Sequence, residues 1–236
     1  MLADSTCLIA ASYEAKAFGV KTLTNVGEAK KKIPDIQLVV ARHELYIDFH
    51  HKAIKAVDEI APVREVLSID EMVCDLPAGY KSVERAIELS HAIKRNMAEK
   101  VGEYLKVAIG LAPNTFLAKL ASDMQKPDGL VVIHKEELPQ RLHPLKLRDF
   151  CGIGSRMEKR LNNKGVFTVE GLYLLPKREM KLIWGGIGGE RFYELIRGEN
   201  ISLPASRTRS MGHQHVLPPE YRSYSAAFTI LQELTL

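Results

Sequence analysis

Short apolar runs alternate with longer amphipathic stretches through the first half of the chain. Runs of apolar and β-branched residues predict strands at residues 7–11, 36–40, 105–111 and 130–133. Apolar residues at helical spacing predict helices at residues 42–60 and 81–100, and from Pro113 to just before Pro127. We expect the strand at 36–40 to be buried, and no run precedes the strand at 7–11 to pair with it. This alternation predicts an α+β fold with a mixed or antiparallel sheet.

The segment Pro62–Leu76 predicts two further buried strands, which meet at the adjacent carboxylates Asp70 and Glu71. Two ionised carboxylates beside buried strands are costly unless a cation or hydrogen bonds compensate them. One interpretation is therefore a Mg²⁺ or Mn²⁺ site with oxygen ligands. The alternative is the rim of a hairpin with solvated acids, because acids are common at turns.

Cations occur at two other places in the same half of the chain. Ser12 is a candidate N-cap, and it places Tyr13 and Lys16 on one face of a short helix, where both can reach phosphate oxygens. Lys119 falls on the helix after Pro113 and Lys126 at its exit, where a cation can meet a polyphosphate held by the two acids. The alternative for each side chain is an ordinary solvated surface position. His50 and His51 point in different directions on their predicted helix, so we expect no joint metal binding.

Beyond residue 135 the pattern changes to short helices. Leu147–Arg156 predicts a helix, a glycine hairpin and a second helix that starts near Ser155. Gly152 and Gly154 let backbone N–H groups approach a phosphate, and the dipole of the following helix adds to the attraction. This pattern is typical of a helix-hairpin-helix, with a plain helical turn as the alternative. Gly185–Gly189 is a weaker candidate for a second such turn.

Charge divides unevenly along the chain, whose formal net charge is +4. Residues 141–210 hold 14 Lys/Arg against 7 Asp/Glu, a net of +7, so the remainder is −3. A local basic excess indicates contact with a phosphate backbone, and a solvated helical face is the alternative. Cys7, Cys74 and Cys151 lie far apart without a Cys-x-x-Cys pair, so the sequence suggests neither a disulfide framework nor a thiolate zinc site, and it fits a reducing compartment. With no apolar run long enough to span a bilayer and no secretory signal, we expect a soluble, cytoplasmic protein without membrane contact.

Several motifs follow one another in a characteristic order. They are Tyr13-Glu14-Ala15-Lys16, Ser68-Ile69-Asp70-Glu71, Ala112-Pro113-Asn114 with Phe116-Leu117-Ala118-Lys119, Ala121-Ser122-Asp123, and Lys126-Pro127 with Gly129. In this order they resemble the fingers and palm of the Y-family translesion DNA polymerases, of the bacterial DNA polymerase IV and UmuC-like type. The resemblance covers nearly the whole chain.

The resemblance implies a partial polymerase palm with small fingers, a helical thumb that contains the helix-hairpin-helix, and the start of a little-finger domain. The expected divisions are a shortened palm start at 1–10, fingers at 11–40, palm at 41–134, thumb at 135–199, a linker at 200–209 and an incomplete little finger at 210–236. The family begins with a strand that carries another metal-binding aspartate and a bulky residue against ribonucleotides. This chain has neither in a matching context, so we expect a family member shortened at both ends.

The resemblance also implies roles for individual residues. Asp70 and Glu71 become catalytic ligands of two Mg²⁺ ions, with Mn²⁺ as a substitute, and Tyr13, Lys16 and Lys126 bind the triphosphate of a deoxynucleoside triphosphate. The family usually has arginine at the position of Lys16. Lysine keeps the positive charge but loses the bidentate fork of the guanidinium group. The residues implied to bind primer-template DNA are Gly152, Gly154, Ser155, Arg156, Arg207 and Arg209. A sliding clamp is a further implied partner, through a C-terminal segment that is not in this chain.

Three functions follow from these observations. The first is a translesion DNA polymerase that transfers nucleotides by two-metal chemistry in DNA repair and damage bypass. The second is a DNA-binding fragment of such a polymerase without catalysis, since the first metal-binding aspartate is missing. The third is another palm enzyme such as a nucleotide cyclase, which shares carboxylates on a hairpin.

Overall fold

The structure, a computed structural model, describes residues 2–4 (backbone only), 7–80, 82–201, 217 and 221–233. They form two compact units: one holds the chain up to Glu44 together with the C-terminal helix, and the other is Leu45–Leu203, described up to Ile201. The strands are β1 (Leu2–Asp4), β2 (Cys7–Ala10), β3 (Val39–Val40), β4 (Val63–Val66), β5 (Met72–Cys74), β6 (Ile109–Leu111) and β7 (Leu130–Val132). The α-helices are α1 (Tyr13–Ala17), α2 (Val26–Lys32), α3 (His43–Asp58), α4 (Val83–Lys100), α5 (Thr115–Met124), α6 (Ser155–Asn162), α7 (Val169–Leu174), α8 (Lys177–Trp184), α9 (Ile187–Leu195) and α10 (Tyr224–Glu233).

The first unit contains a three-stranded sheet in the order β2-β1-β3. β1 pairs antiparallel with β2 and parallel with β3, so the expectation that β2 lacks a partner before it was wrong. Apolar side chains from β2, α1 and α2, with Val20 between the helices, form the small core of this unit. β3 is shorter than predicted and exposed, with Val40 at 78% of its accessible surface, because its two residues pair at one edge of the sheet. The prediction of a buried strand at 36–40 was therefore wrong.

The second unit contains a hairpin packed on two helices. β4 and β5 pair antiparallel, with Val66 opposite Met72, as the segment Pro62–Leu76 predicts. Ala56 and Val57 of α3 join Leu89 and Ile93 of α4 in a core against which the base of the hairpin packs. Most of β4 is exposed, however, because this sheet has two strands and β4 packs against the helical core through Val63 at its base. The expectation that both strands are buried was wrong.

A second core unites the rest of this unit. β6 and β7 run parallel, and α5 lies across them so closely that a Cβ at Gly110 would be 1.9 Å from the carbonyl oxygen of Ala118. Leu117, Leu120 and Ala121 of α5 share one apolar cluster with residues from the four helices α6–α9. The aromatic rings of this cluster are in mutual contact, and they belong to Phe116, Phe150, Trp184 and Phe192. Leu117, Leu120 and Ala121 thus form the buried stripe of α5.

The helices of the basic segment, residues 141–210, follow the predicted order with one correction as far as the structure describes them. The element before the glycine hairpin is a single 3₁₀ turn, Leu147–Asp149, where an α-helix was predicted. Asp149 N donates to the Lys146 carbonyl oxygen at 3.0 Å, Phe150 N donates to the Leu147 carbonyl oxygen at 3.3 Å, and the Asp149 carboxylate accepts from Lys146 N at 2.8 Å. These bonds close the chain into a single turn at this point. Where the chain is described, it has no helix of the length and apolarity needed to cross a membrane.

Candidate functional site

The two candidate metal ligands lie on the turn that joins β4 to β5. The turn closes through the Glu71 carbonyl oxygen, which accepts from Leu67 N at 2.9 Å and from Ser68 N at 3.2 Å. The Ser68 hydroxyl donates to Asp70 Oδ1 at 2.8 Å. Asp70 is exposed and Glu71 is half-buried. Strand pairing on both sides therefore holds the two carboxylates at the tip of a short hairpin.

A row of alternating charges runs from this turn along α5. Lys119 Nζ lies 2.5 Å from Glu71 Oε1 and 3.0 Å from Asp123 Oδ2. Lys126 Nζ in turn lies 2.6 Å from Asp123 Oδ1. The α-helical spacing of four residues brings Lys119 and Asp123 to one face. The structure thus brings Glu71, Lys119 and Lys126 together in the second unit, with Asp123 as the link.

The contacts of the row shift the pKa values of Lys119 and Asp123. Partial burial acts to lower the pKa of Lys119, but its hydrogen bonds to Glu71 and Asp123 outweigh burial and leave that pKa above its usual value. Partial burial acts to raise the pKa of Asp123, and the hydrogen bonds from Lys126 and Lys119 bring it below its usual value. Both effects favour the charged forms. The ion pair of Lys119 with Asp123 at the centre of the row is therefore favoured in its charged state.

The carboxylates fit one divalent cation. Asp70 and Glu71 are adjacent, one exposed and one half-buried, and they offer the hard oxygen donors that Mg²⁺ prefers. In proteins Mg²⁺ usually keeps several waters and binds through one or two carboxylates together with substrate phosphates. Within the described part of the chain, no group of three or more His, Cys, Asp or Glu side chains is placed to hold a metal ion. A second ion would thus need a further carboxylate from elsewhere.

The other two predicted triphosphate ligands lie in the first unit. Ser12 caps α1, as predicted, by accepting from Ala15 N, and Lys16 Nζ lies 4.5 Å from the centre of the Tyr13 ring. The phenol and the ammonium are neighbours at the surface. The meeting of Tyr13 and Lys16 with Lys126 at one triphosphate remains a prediction.

The glycine hairpin presents open backbone before α6. Gly152 has φ +89°, in the left-handed region that favours glycine, and Ile153 between the two glycines is buried and anchors the turn. A Cβ at either Gly152 or Gly154 would meet no atom within 4 Å. Ser155 and Arg156 are exposed at the start of the helix. Arg207 and Arg209 lie outside the described residues, and their DNA contacts stay a prediction.

Two side chains matter to this site although no role was predicted for them. Asp123 links the lysines, and its spacing of four residues after Lys119 and three before Lys126 is a signal that could have found it. Asn114 is buried, caps α5 by accepting from Leu117 N, and donates to the carbonyl oxygens of Leu195 and Glu199, each at 2.9 Å. The cap is visible in sequence, whereas the contacts 81 and 85 residues away are not.

Known proteins resemble the chain over most of its length. DNA polymerase IV from Moorella thermoacetica is 35% identical over 232 residues, which are 96% of this chain and 57% of that protein. DNA polymerase IV from Pelotomaculum thermopropionicum is also 35% identical, over 231 residues, with the same coverage of 96% and 57%. The chain therefore spans less than three fifths of the length of these curated relatives.

Solved structures show the same resemblance in three dimensions. A ternary complex of Dbh matches with a TM-score of 0.74 and 30% identity over 83% of this chain and 58% of that one. The crystal structure of DinB from Sulfolobus solfataricus matches with a TM-score of 0.72 at 30% identity, over 83% of this chain and 58% of that one. The mixed α+β fold predicted from the sequence is thus confirmed as that of a Y-family polymerase.

Family models agree with these relatives. The model of the impB/mucB/samB family matches residues 2–123, and the model of the IMS family HHH motif matches residues 135–166, which contain the glycine hairpin. The first match alone covers more than half of the 236 residues. The chain therefore belongs to the impB/mucB/samB family, and the predicted resemblance to the Y-family translesion polymerases is confirmed.

Proposed function

We propose that this chain is part of a template-directed DNA polymerase of the translesion type. It contributes the turn that carries Asp70 and Glu71 for catalysis and the helices around the glycine hairpin for DNA binding. The observation that carries the proposal is the charged row Glu71–Lys119–Asp123–Lys126, which joins a metal-binding turn to a cation that can hold a triphosphate. Relatives that share 35% of their residues with the chain are DNA polymerases IV, and a related solved structure is a ternary complex. Damage bypass comes from the family alone.

In this proposal the residues at the turn hold a metal ion. Asp70 and Glu71 supply its carboxylate ligands, and Lys119 orients the Glu71 carboxylate. A bound Mg²⁺, or Mn²⁺ in its place, would lower the cost of ionising the primer 3′-hydroxyl and offset charge on the leaving pyrophosphate. The two-ion arrangement of the family would require one more carboxylate than this turn offers.

Cationic and phenolic side chains would orient the nucleotide. Lys126 lies two residues after α5, and its ammonium forms an ion pair with Asp123 at the surface. Surface ion pairs are weak, so phosphate oxygens can take the place of the Asp123 carboxylate. Tyr13 and Lys16 supply a hydroxyl and a second ammonium. Correct placement of the triphosphate against the primer end accounts for much of the rate of such transfers.

The hairpin before α6 would hold the duplex. Backbone N–H groups around Gly152 and Gly154 can approach a phosphate without obstruction, and the start of α6 carries a favourable dipole. The net charge of +7 over residues 141–210 attracts the phosphate backbone of DNA, whatever the base sequence. A sliding clamp as partner and the cytoplasm as compartment stay predictions.

A second candidate function is DNA binding without catalysis. It is favoured by the finding that no three-ligand metal group occurs among the residues the structure describes. A nucleotide cyclase, the third function considered, has no use for a helix-hairpin-helix in a basic segment, and the motif model matches there.

Primer extension on defined templates separates these functions. The chain is incubated with Mg²⁺, a primer-template and one deoxynucleoside triphosphate at a time, and binding to the same DNA is followed by gel shift. A polymerase adds the nucleotide complementary to the template base and follows that base when it is changed. DNA binding that weakens with salt, without any addition, would favour the second function, and neither binding nor addition would contradict the proposal.

A further inference from the structure

His50 on α3 reaches the turn that carries the candidate metal ligands. Its Nδ1 lies 2.7 Å from the carbonyl oxygen of Ile69, the residue before Asp70. A carbonyl oxygen can only accept a hydrogen bond, so Nδ1 carries the proton and is the donor. The His50 ring is therefore fixed in one tautomer or is an imidazolium, and in both forms it tethers the turn from outside the hairpin.

This tether acts on the peptide group that leads into Asp70. The oxygen of the Ile69–Asp70 peptide accepts from His50, and the N–H of the same group points to the Ser68 hydroxyl at 3.4 Å. The same hydroxyl donates to Asp70 Oδ1. Because a peptide group is planar and rigid, contacts at both of its ends fix its orientation. The oriented peptide places the Asp70 backbone, and the bond from the Ser68 hydroxyl then holds the carboxylate itself.

The position of His50 along α3 matches the length of the hairpin. Val57 packs in the core that the base of the hairpin joins through Val63, and His50 lies two helical turns earlier on the same face. Seven residues of α-helix span about 10 Å, and the three steps from Val63 to Val66 along β4 span about 10 Å as well. One face of α3 thus supports both the base and the tip of the hairpin.

From this geometry we infer that His50 is a positioning residue for Asp70, and through it for the divalent cation. The inference rests on the metal site of the proposed function. Ile69 and Asp70 are both exposed, with Ile69 at 52% of its accessible surface, so packing alone does not hold them. The bond from His50 to the Ile69 carbonyl oxygen joins this part of the turn to α3.

Mn²⁺ binding tests the inference without any need for catalysis. The chain, His50→Leu and His50→Asn are titrated with Mn²⁺ and the free ion is followed by electron paramagnetic resonance. Leucine removes the donor, whereas the asparagine amide keeps a donor near the position of Nδ1. We expect the affinity for Mn²⁺ to fall roughly 2- to 10-fold in His50→Leu, the range of one lost hydrogen bond, and to recover in His50→Asn.

Adjacent His51 provides the matched control: it is exposed on the same helix, and its ring centre lies 5.5 Å from that of His50. Its replacement therefore separates the loss of a neighbouring ring from the loss of the bond to Ile69. His51→Leu should bind Mn²⁺ as the unchanged chain does, and Asp70→Asn sets the level for a damaged site. Amide hydrogen exchange of residues 67–71 should be faster in His50→Leu than in His51→Leu, and thermal unfolding verifies that each variant is folded.

Different results separate this inference from the proposed function. Equal Mn²⁺ affinity in His50→Leu and His51→Leu would overturn it, as would a loss in His50→Asn as large as that in His50→Leu. If the unchanged chain binds Mn²⁺ no more strongly than Asp70→Asn does, both the positioning role of His50 and the metal site are overturned. If the Mn²⁺ results are as expected but no primer is extended, the positioning role stands and the proposed polymerase activity fails.

Discussion

Lys119 Nζ lies 2.5 Å from Glu71 Oε1, across 48 residues of sequence. This contact joins the hairpin of β4 and β5 to α5. A second contact joins the same elements at the start of the helix, where Arg64 donates to Thr115 Oγ1 at 2.7 Å. The candidate catalytic turn is therefore held by a helix that ends at Met124, two residues before Lys126. Changes to this row should alter activity more than stability, because its ion pairs are partly exposed.

Lys119→Met should impair nucleotide insertion in an otherwise folded chain. The Glu71 carboxylate loses the cation that orients it, so we expect kcat/KM for single-nucleotide insertion to fall about 10-fold, while the free energy of unfolding changes by less than about 1 kcal/mol. Rapid-quench kinetics and urea unfolding measure the two quantities. Lys100→Met is the matched control, since Lys100 also pairs with a carboxylate, that of Glu59. Insertion by Lys119→Met at the rate of the control would contradict the role of the row.

Asp123 should make the folded state sensitive to acid. Its pKa in the folded protein is below the ordinary value of 3.8, so the ionised form stabilises the fold. This contribution is complete above the unfolded-state pKa and is lost as pH falls through the lower folded-state value. Urea midpoints measured from about pH 5 to about pH 3 should therefore fall more steeply for the unchanged chain than for Asp123→Asn. Parallel curves would show that Asp123 does not contribute.

Gly154→Ala should weaken DNA binding without a cost to folding. Gly154 has φ −83°, which alanine adopts freely, and the added Cβ meets nothing within 4 Å in the protein. The methyl group would instead occupy the space through which a phosphate approaches. We expect the dissociation constant for primer-template DNA to rise about 3- to 10-fold, the equivalent of about one hydrogen bond, with an unchanged melting temperature. Fluorescence anisotropy measures binding, and Gly171→Ala on α7 is the control.

Asn114→Ala should destabilise the second unit by about 2–4 kcal/mol, because a helix cap and two buried hydrogen bonds are lost together. Asn114→Asp keeps the cap on Leu117 N and places a carboxylate beside the carbonyl oxygens of Leu195 and Glu199. It should therefore also be destabilising. Urea unfolding measures both variants, and a stable Asn114→Asp would show that the two donated bonds contribute little.

Local pattern was sufficient to predict most elements and the position of the acids. The apolar residues on either side of Ser68–Glu71 predict two strands that meet there, and Val66 and Met72 indeed pair across the turn. The cap at Ser12 follows from a short polar side chain ahead of helical spacing. Asn114 offers the same signal ahead of α5, although no role was predicted for it. Such features depend only on neighbours in sequence, and they are the part that could be predicted.

Burial and long-range contacts could not be predicted in the same way. Val40 is apolar yet exposed, because what covers a strand is decided by elements far along the chain. The bond from His50 to Ile69 and those from Asn114 to the end of α9 also join segments that share no periodicity. The sequence therefore predicts which residues carry charge and where strands turn, whereas the packing of helices decides which of those charges meet.

Single-nucleotide insertion by Asp70→Ala tests the central claim most directly. Glu65→Ala is the matched control, because Glu65 is an exposed acid on the same hairpin and is not a candidate ligand. Both variants are compared with the unchanged chain on one primer-template with Mg²⁺ and the complementary nucleotide. The account predicts that Asp70→Ala loses insertion and keeps DNA binding, while Glu65→Ala keeps both. Insertion by Asp70→Ala at the rate of Glu65→Ala would contradict it.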